Sequence, residues 1–151
     1  YHALEHLRSE RAYREYGLDL TPEDTPYEAG LGFTVSLDKP GGFIGCEAIA
    51  AQLGKSLNKR LVMFKMTDPE PVLFHDEVIR LDGEIVGYIS SGAYGFTLGC
   101  SVGMGYVHHP EGVTKDLVEN GDFEIEIACE RYPTEAALRG FYDPTSERVK
   151  M

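Results

Sequence analysis

Asp82-Gly83 stands between two apolar-rich runs, residues 77–81 and 84–90. A pair of this kind supplies the two positive-φ positions of a type I′ turn, whose twist matches that of paired strands. The stretch therefore predicts a β-hairpin, and a hairpin is stable only when further strands help to bury its apolar side. Residues 60–66, 102–107 and 123–129 are suitable partners. In the last of these, Phe123, Ile125 and Ile127 fall on one face and Glu124, Glu126 and Ala128 on the other. Short strands separated by Gly and Pro predict an antiparallel barrel or sandwich.

The first part of the chain has a different texture. Ala3, Leu4, Leu7, Ala12, Tyr13 and Tyr16 recur at steps that give a helix one apolar face, and Gly17 offers a stop. Thr25-Pro26-Tyr27-Glu28 has the spacing of a capping box with proline at the first helical position. Residues 33–37 alternate like a strand, residues 38–42 read as a turn, and residues 43–53 read as a second short helix ending at Gly54. The expected fold class is α+β: an α/β piece over residues 1–56, then a small antiparallel β-barrel of Greek-key or jelly-roll type over residues 57–151. The first residues, Tyr1-His2-Ala3-Leu4-Glu5, already read as helix without an initiator Met, so the chain is expected to be a piece of a longer protein.

Composition narrows the partners. Lys and Arg number 14 against 25 Asp and Glu, a formal net charge of −11. Such a field repels phosphate backbones and anionic lipid unless a local basic patch reverses it. The densest basic stretch, residues 55–65, carries four cations scattered among apolar side chains. Neither nucleic acid nor a membrane is therefore an expected partner, and no apolar run approaches the roughly 20 residues that cross a bilayer.

The three cysteines, Cys46, Cys100 and Cys129, are too widely spaced for a disulfide framework or a zinc site. They are expected as free thiols, with Cys100 and Cys129 as small core residues. His108-His109 and His75-Asp76-Glu77 read as loop and hairpin residues rather than metal ligands. Gly92, Gly95, Gly99, Gly103 and Gly105 lack the spacing of a phosphate-binding loop and read as turn and barrel-bend positions.

Several segments resemble, in order, the glycine-cleavage T-protein family. Leu7-Arg8-Ser9-Glu10 followed by Tyr16-Gly17 resembles its "L-R-x-E … Y-G" helix. Thr25-Pro26-Tyr27-Glu28-Ala29-Gly30-Leu31-Gly32-Phe33 resembles "T-P-x-E-A-G-L-G-W", and Phe43-Ile44-Gly45-Cys46-Glu47-Ala48-Ile49 resembles "F-I-G-R-E-A-L". Residues 90–99 with Gly103-Met104-Gly105-Tyr106-Val107 resemble "T-S-G-x-x-S-x-T-L-G … A-x-G-Y-V". Phe141-Tyr142-Asp143-Pro144 looks like the tail of the branch fused to dimethylglycine and sarcosine dehydrogenases. Phe33 in place of Trp and Cys46 in place of Arg depart from the pattern, and Leu4 stands where free-standing T-proteins carry "A-R-D".

The resemblance implies tetrahydrofolate as cofactor, with FAD in an upstream part if the chain is fused to a dehydrogenase. It implies a folate and a methylated amine as small-molecule partners, contacts with a missing N-terminal part of the parent chain, and a bacterial cytoplasmic or mitochondrial-matrix location. Glu10 matches the family's folate-contacting Glu, and its two oxygens suit the adjacent ring N–H and amino group of a pterin. The plain alternative is a solvated helix Glu paired with Arg14 at i+4. Lys39 matches the family's basic residue before "F-I-G" only if two residues are inserted, and would meet the glutamate tail as a point charge.

Arg8 is expected as a structural partner. The family's catalytic Asp lies upstream of this chain, so no residue here is expected to be catalytic, no metal site is expected, and the chain alone is expected to be inert. The implied role is a part of an aminomethyltransferase-like domain that helps move a one-carbon unit to folate. A non-catalytic regulatory module of the same fold, a stand-alone aminomethyltransferase and a folate-dependent demethylase are the alternatives.

Overall fold

The computed structural model describes residues 1–150. Six strands form a closed barrel: β1 (Lys59–Met66), β2 (Val78–Leu81), β3 (Glu84–Gly95), β4 (Cys100–His108), β5 (Phe123–Ile127) and β6 (Glu130–Ala137). Around the barrel they run β1-β4-β3-β2-β5-β6, every pair antiparallel. Strands β2, β3 and β4 are successive neighbours and β1 returns beside β4, which is a Greek key. Closure leaves no free strand edge. The described residues also form three α-helices, α1 (His2–Glu10), α2 (Cys46–Ala50) and α3 (Lys115–Asn120).

The hairpin forms where the Asp-Gly pair predicts it. Asp82 and Gly83 take φ of 51° and 85°, and Leu81 pairs with Glu84 across the turn. Barrel closure depends on β6, which divides its partners. Residues 130–133 pair with β5, and Thr134 onward pairs with β1. Pro133 is the last residue on the β5 side, so the missing amide falls where the strand changes partner. Because Pro133 and the turn Ala128-Cys129, both at positive φ, carry none of the usual strand and hairpin signals, β6 was not predicted. Cys129 is accordingly exposed in that turn rather than in the core, while Cys100 is buried as expected.

Val62, Phe64 and Met66 alternate into the barrel with Ile79, Leu81, Ile89, Val107, Phe123 and Ile125. Leu73 from the β1–β2 connection, and Val113 with Val118 of α3, fill the same cluster. Helix α3 starts at Thr114, whose hydroxyl accepts the Leu117 amide. The other face of β1 is buried too: Leu61 and Met63 join Met104, Ala12 and Phe141 under the N-terminal segment and the C-terminal tail. Burial on both faces explains why β1 reads as a nearly continuous apolar run.

The N-terminal segment departs from the sequence reading in three places. Helix α1 stops at Glu10 instead of running to residue 16: Ala12 takes φ of 58°, its amide bonds to Ser9, and the Tyr13 amide bonds to Arg8. This is a Schellman ending without its usual glycine; the Ala12 methyl is buried in the cluster over β1. Residues 33–37 form no strand; Gly32–Thr34 is a 3₁₀ turn, and that segment finds no pairing partner among the described residues. The second helix is shortened to α2, entered through Gly45 at φ 86°. The Thr25–Glu28 capping box does form, with the Thr25 amide and hydroxyl both donating to Glu28 Oε2 at 2.9 and 2.7 Å.

Phe64 and Phe123 meet edge to face at 5.6 Å inside the barrel. Phe123→Ala is expected to lower unfolding free energy by about 3–5 kcal/mol, since a buried ring is replaced by a cavity. Urea unfolding checks this, and a loss under about 1 kcal/mol would show that the barrel does not depend on this pair.

Candidate functional site

Helix α1 is docked inside out. Its buried residues are Arg8, Ser9 and Glu10, whereas Leu4 and Leu7 are exposed. The Leu4 and Leu7 side of the apolar face read from the sequence therefore points away from the barrel, and polar groups make the junction.

Arg8 reaches into this junction as a structural partner, the role the family resemblance implied. Its Nη1 donates to Asp19 Oδ2 at 2.9 Å and its Nη2 to Ser91 Oγ at 3.0 Å. Glu5 and Glu15 flank the same guanidinium. Burial pulls the Arg8 pKa down, but the hydrogen bond to Glu5 and the charge of Asp19 outweigh it, so the net shift is upward and the side chain stays charged.

Asp19 is fully buried and fully used. Oδ2 also accepts the Glu15 amide, Oδ1 accepts the Ser90 hydroxyl, and its carbonyl accepts the Tyr106 hydroxyl. Two successive serines can serve one junction because β3 bulges there: its register against β4 shifts between Ile89 and Ser91. In a regular strand their side chains would point to opposite faces.

A second junction lies beside the first. Lys59 pairs with Asp24 and sits 4.4 Å from the Tyr106 ring centroid. Burial, then the charge of Asp24, push the Tyr106 hydroxyl above its ordinary pKa, so it remains a donor. Burial also raises the Asp24 pKa, but the hydrogen bonds from Lys59 and Thr21 prevail and hold it below its ordinary 3.8.

Glu10 lies at the helix end with only 3% of its surface exposed. Its Oε1 accepts the amides of Thr97 (2.6 Å) and Leu98 (3.3 Å) in the β3–β4 turn. Its carbonyl accepts the Tyr142 amide of the C-terminal tail. The tail is fastened there by Arg11, which pairs with Asp143 and Ser146. No pair forms between Glu10 and Arg14, whose guanidinium bonds to the carbonyls of Ala12 and Ala29. With two donors already on Oε1, the carboxylate cannot offer both oxygens side by side to a pterin, as the sequence reading expected. Only Oε2 is without a hydrogen-bond partner among the described residues, and it is not sealed from solvent.

Lys39 is exposed in a turn closed by the Gly42 amide on its own carbonyl, and no ion pair joins it to a described residue. The structure does not bring it into contact with Glu10. A hollow of about 420 Å³ is lined by Lys59, Ile85, Tyr88, Ser90, Tyr106 and His108, and another of about 610 Å³ by residues 41–48. Neither is lined by Glu10 or Lys39. His75 bonds only to its exposed neighbour Asp76, and no group of three potential metal ligands occurs among the described residues. Among the described residues no helix is long and apolar enough to cross a membrane.

The barrel residues 59–143 match the glycine cleavage T-protein C-terminal barrel domain. The chain belongs to the glycine cleavage T-protein family. It is 43% identical over 150 residues to the 4-methylaminobutanoate oxidase (formaldehyde-forming) of Paenarthrobacter nicotinovorans, covering 99% of this chain and 18% of that protein. It is 39% identical over 152 residues to human mitochondrial sarcosine dehydrogenase, covering 99% and 16%. Among solved structures, the glycine cleavage system aminomethyltransferase T of Bartonella henselae superposes with a TM-score of 0.74 at 27% identity, over 87% of this chain and 36% of that one. This T-protein relative therefore spans under a fifth of the two sequence relatives and about a third of the solved structure. The relatives include bacterial and mitochondrial proteins.

Both junctions make predictions for this T-protein relative. Asp19→Ala leaves a buried guanidinium short of its innermost partner and is expected to destabilise by about 3–5 kcal/mol, with Asp19→Asn milder; denaturant titration reads both. The depressed Asp24 pKa contributes stability that is present above the ordinary carboxylate value and is lost as pH falls through the lower folded value. The unmodified chain should accordingly lose more stability between about pH 6 and about pH 3 than Asp24→Asn does. Equal losses would refute the assignment.

Proposed function

We propose that this chain is the C-terminal section of a tetrahydrofolate-dependent aminomethyltransferase-like domain within a dimethylglycine- or sarcosine-dehydrogenase-type protein, helping to pass a one-carbon unit from a methylated amine to tetrahydrofolate. The observation that carries the reading is likeness over 99% of the chain to a formaldehyde-forming oxidase and to a sarcosine dehydrogenase, joined to the fold of an aminomethyltransferase. Oxidising an N-methyl group frees a reactive carbon at the aldehyde level, and tetrahydrofolate supplies the nitrogens that trap it. The flavin that takes the electrons belongs, in this reading, to an upstream part of the protein.

The chain's own residues bind and orient. Glu10 accepts one pterin donor through Oε2, and the exposed Lys39 meets the glutamate tail as a mobile charge. The fit is partial, since Oε1 is already occupied. No residue of the chain is assigned a catalytic role, and the chain by itself is inert. Leu4, Leu7, Tyr13, Tyr16, Phe33 and Ile44 are all exposed on the N-terminal segment; such a concentration of apolar side chains suits an interface. The remainder of the parent domain is the proposed cover. The bacterial cytoplasm and the mitochondrial matrix both agree with this role.

Glu10→Gln in the full-length protein should weaken tetrahydrofolate binding by about ten- to a hundredfold, the scale of one charge-assisted hydrogen bond. The two turn amides hold an acceptor at the Oε1 position, so the Gln amide nitrogen is forced to the Oε2 position, where it opposes the pterin donors. Anaerobic titration calorimetry measures the change, and unaltered affinity overturns the role of Glu10.

A further inference from the structure

The β3–β4 turn contributes more than a link between strands. Its backbone closes on the Gly95 carbonyl, which accepts the Leu98 and Gly99 amides at 3.1 and 2.7 Å. The Thr97 amide instead points at Glu10 Oε1, and the Leu98 amide is shared with it. Successive amides converging on one oxygen make a small anion nest. We infer that this turn is a positioning element of the folate site: its two amides hold the Glu10 carboxylate in one orientation, so that Oε2 meets the pterin without the side chain having to be ordered on binding. The inference rests on the folate reading of Glu10 given above.

The local geometry carries the argument. Glu10 is held at both ends, its carbonyl by the Tyr142 amide of the tail and its carboxylate by the barrel turn. A free Glu side chain has several rotamers and loses that freedom when it grips a ligand. Here the loss has already occurred in the fold.

Gly95 shows how closely the turn is fitted to the carboxylate. A Cβ at this position would lie 3.1 Å from Glu10 Oε1 and 3.2 Å from both its Cγ and the Cys100 carbonyl oxygen. Gly95→Ala therefore requires both the Glu10 carboxylate and the Cys100 carbonyl to move by a few tenths of an ångström, and of the two the side-chain end is the more flexible. A turn that merely stabilises the barrel would not affect folate in a Glu10-dependent way.

The test is a double-mutant cycle on tetrahydrofolate affinity in the full-length protein, with melting temperature followed in parallel. Gly95→Ala should weaken binding about tenfold when Glu10 is present and have no further effect in the Glu10→Gln background. Glu10→Asp, one methylene shorter with Gly95 intact, cannot reach the turn amides and the Oε2 position together and should weaken binding without lowering the melting temperature; unchanged affinity would overturn the positioning role even if Gly95→Ala folds poorly. Equal losses from Gly95→Ala in both backgrounds, or none in either, overturn the positioning role while leaving Glu10 as a folate ligand. If Glu10→Gln itself leaves affinity intact, the folate reading and this inference fall together.

Discussion

The buried Arg8–Asp19 pair, bonded to Ser90, Ser91 and Tyr106 of the barrel, fastens the N-terminal segment to the strands, and much of the arrangement follows from it. A helix of nine residues has little stability of its own, and α1 does not gain it in the usual way, by laying an apolar stripe on a core. Its inward residues are Arg8, Ser9 and Glu10. Polar docking of this kind adds less net stability than apolar packing, because charges must be stripped of water. It also tolerates little sliding, since Asp19 is satisfied only when Arg8, the Glu15 amide, Ser90 and Tyr106 all reach it together. Position is set to within a hydrogen bond, and the apolar face of the helix is left free.

The barrel accommodates that junction through a local defect in its own regularity. The shift in register near Ser90 presents two consecutive hydroxyls to the same ion pair, Ser90 to Asp19 and Ser91 to Arg8, where a perfect ladder would present one. On the adjoining surface, Leu61 and Met63 of β1 are covered by Ala12 and Phe141, so the N-terminal segment and the tail share one small apolar seam. Polar register and apolar cover thus act on the same side of the barrel. The tail is fixed to that side by Arg11 and Asp143, and it reaches the Glu10 carbonyl from there.

Much of the barrel was legible in the sequence because its signals are local. Asp82-Gly83 specifies a turn by backbone conformation alone, and alternation in residues 123–127 specifies a face. Strand β6 was not legible: its turn uses Ala128 and Cys129 at positive φ, and Pro133 argues against a strand unless one knows that the strand changes partner there. The end of α1 was misread for a related reason, since Ala12 occupies a position that usually calls for glycine and is held there by burial of its methyl group. Residues 33–37 alternate convincingly, yet alternation cannot make a strand without a partner. The sequence placed Glu10 on the right helix. It could not show that the β3–β4 turn, nearly ninety residues later, takes one of its oxygens.

That last contact explains why the inverted helix matters. With Arg8 anchored to Asp19 and Ser91, the residue two positions on is delivered to the amides of Thr97 and Leu98, and Gly95 leaves just enough room for it. The direction of Oε2 is therefore determined by the barrel, at the cost of the second oxygen as a ligand. A carboxylate mounted in this way recognises its partner with one hydrogen bond in a fixed direction, so the shape of whatever closes over the helix, and not the acid group alone, must supply the remaining selectivity.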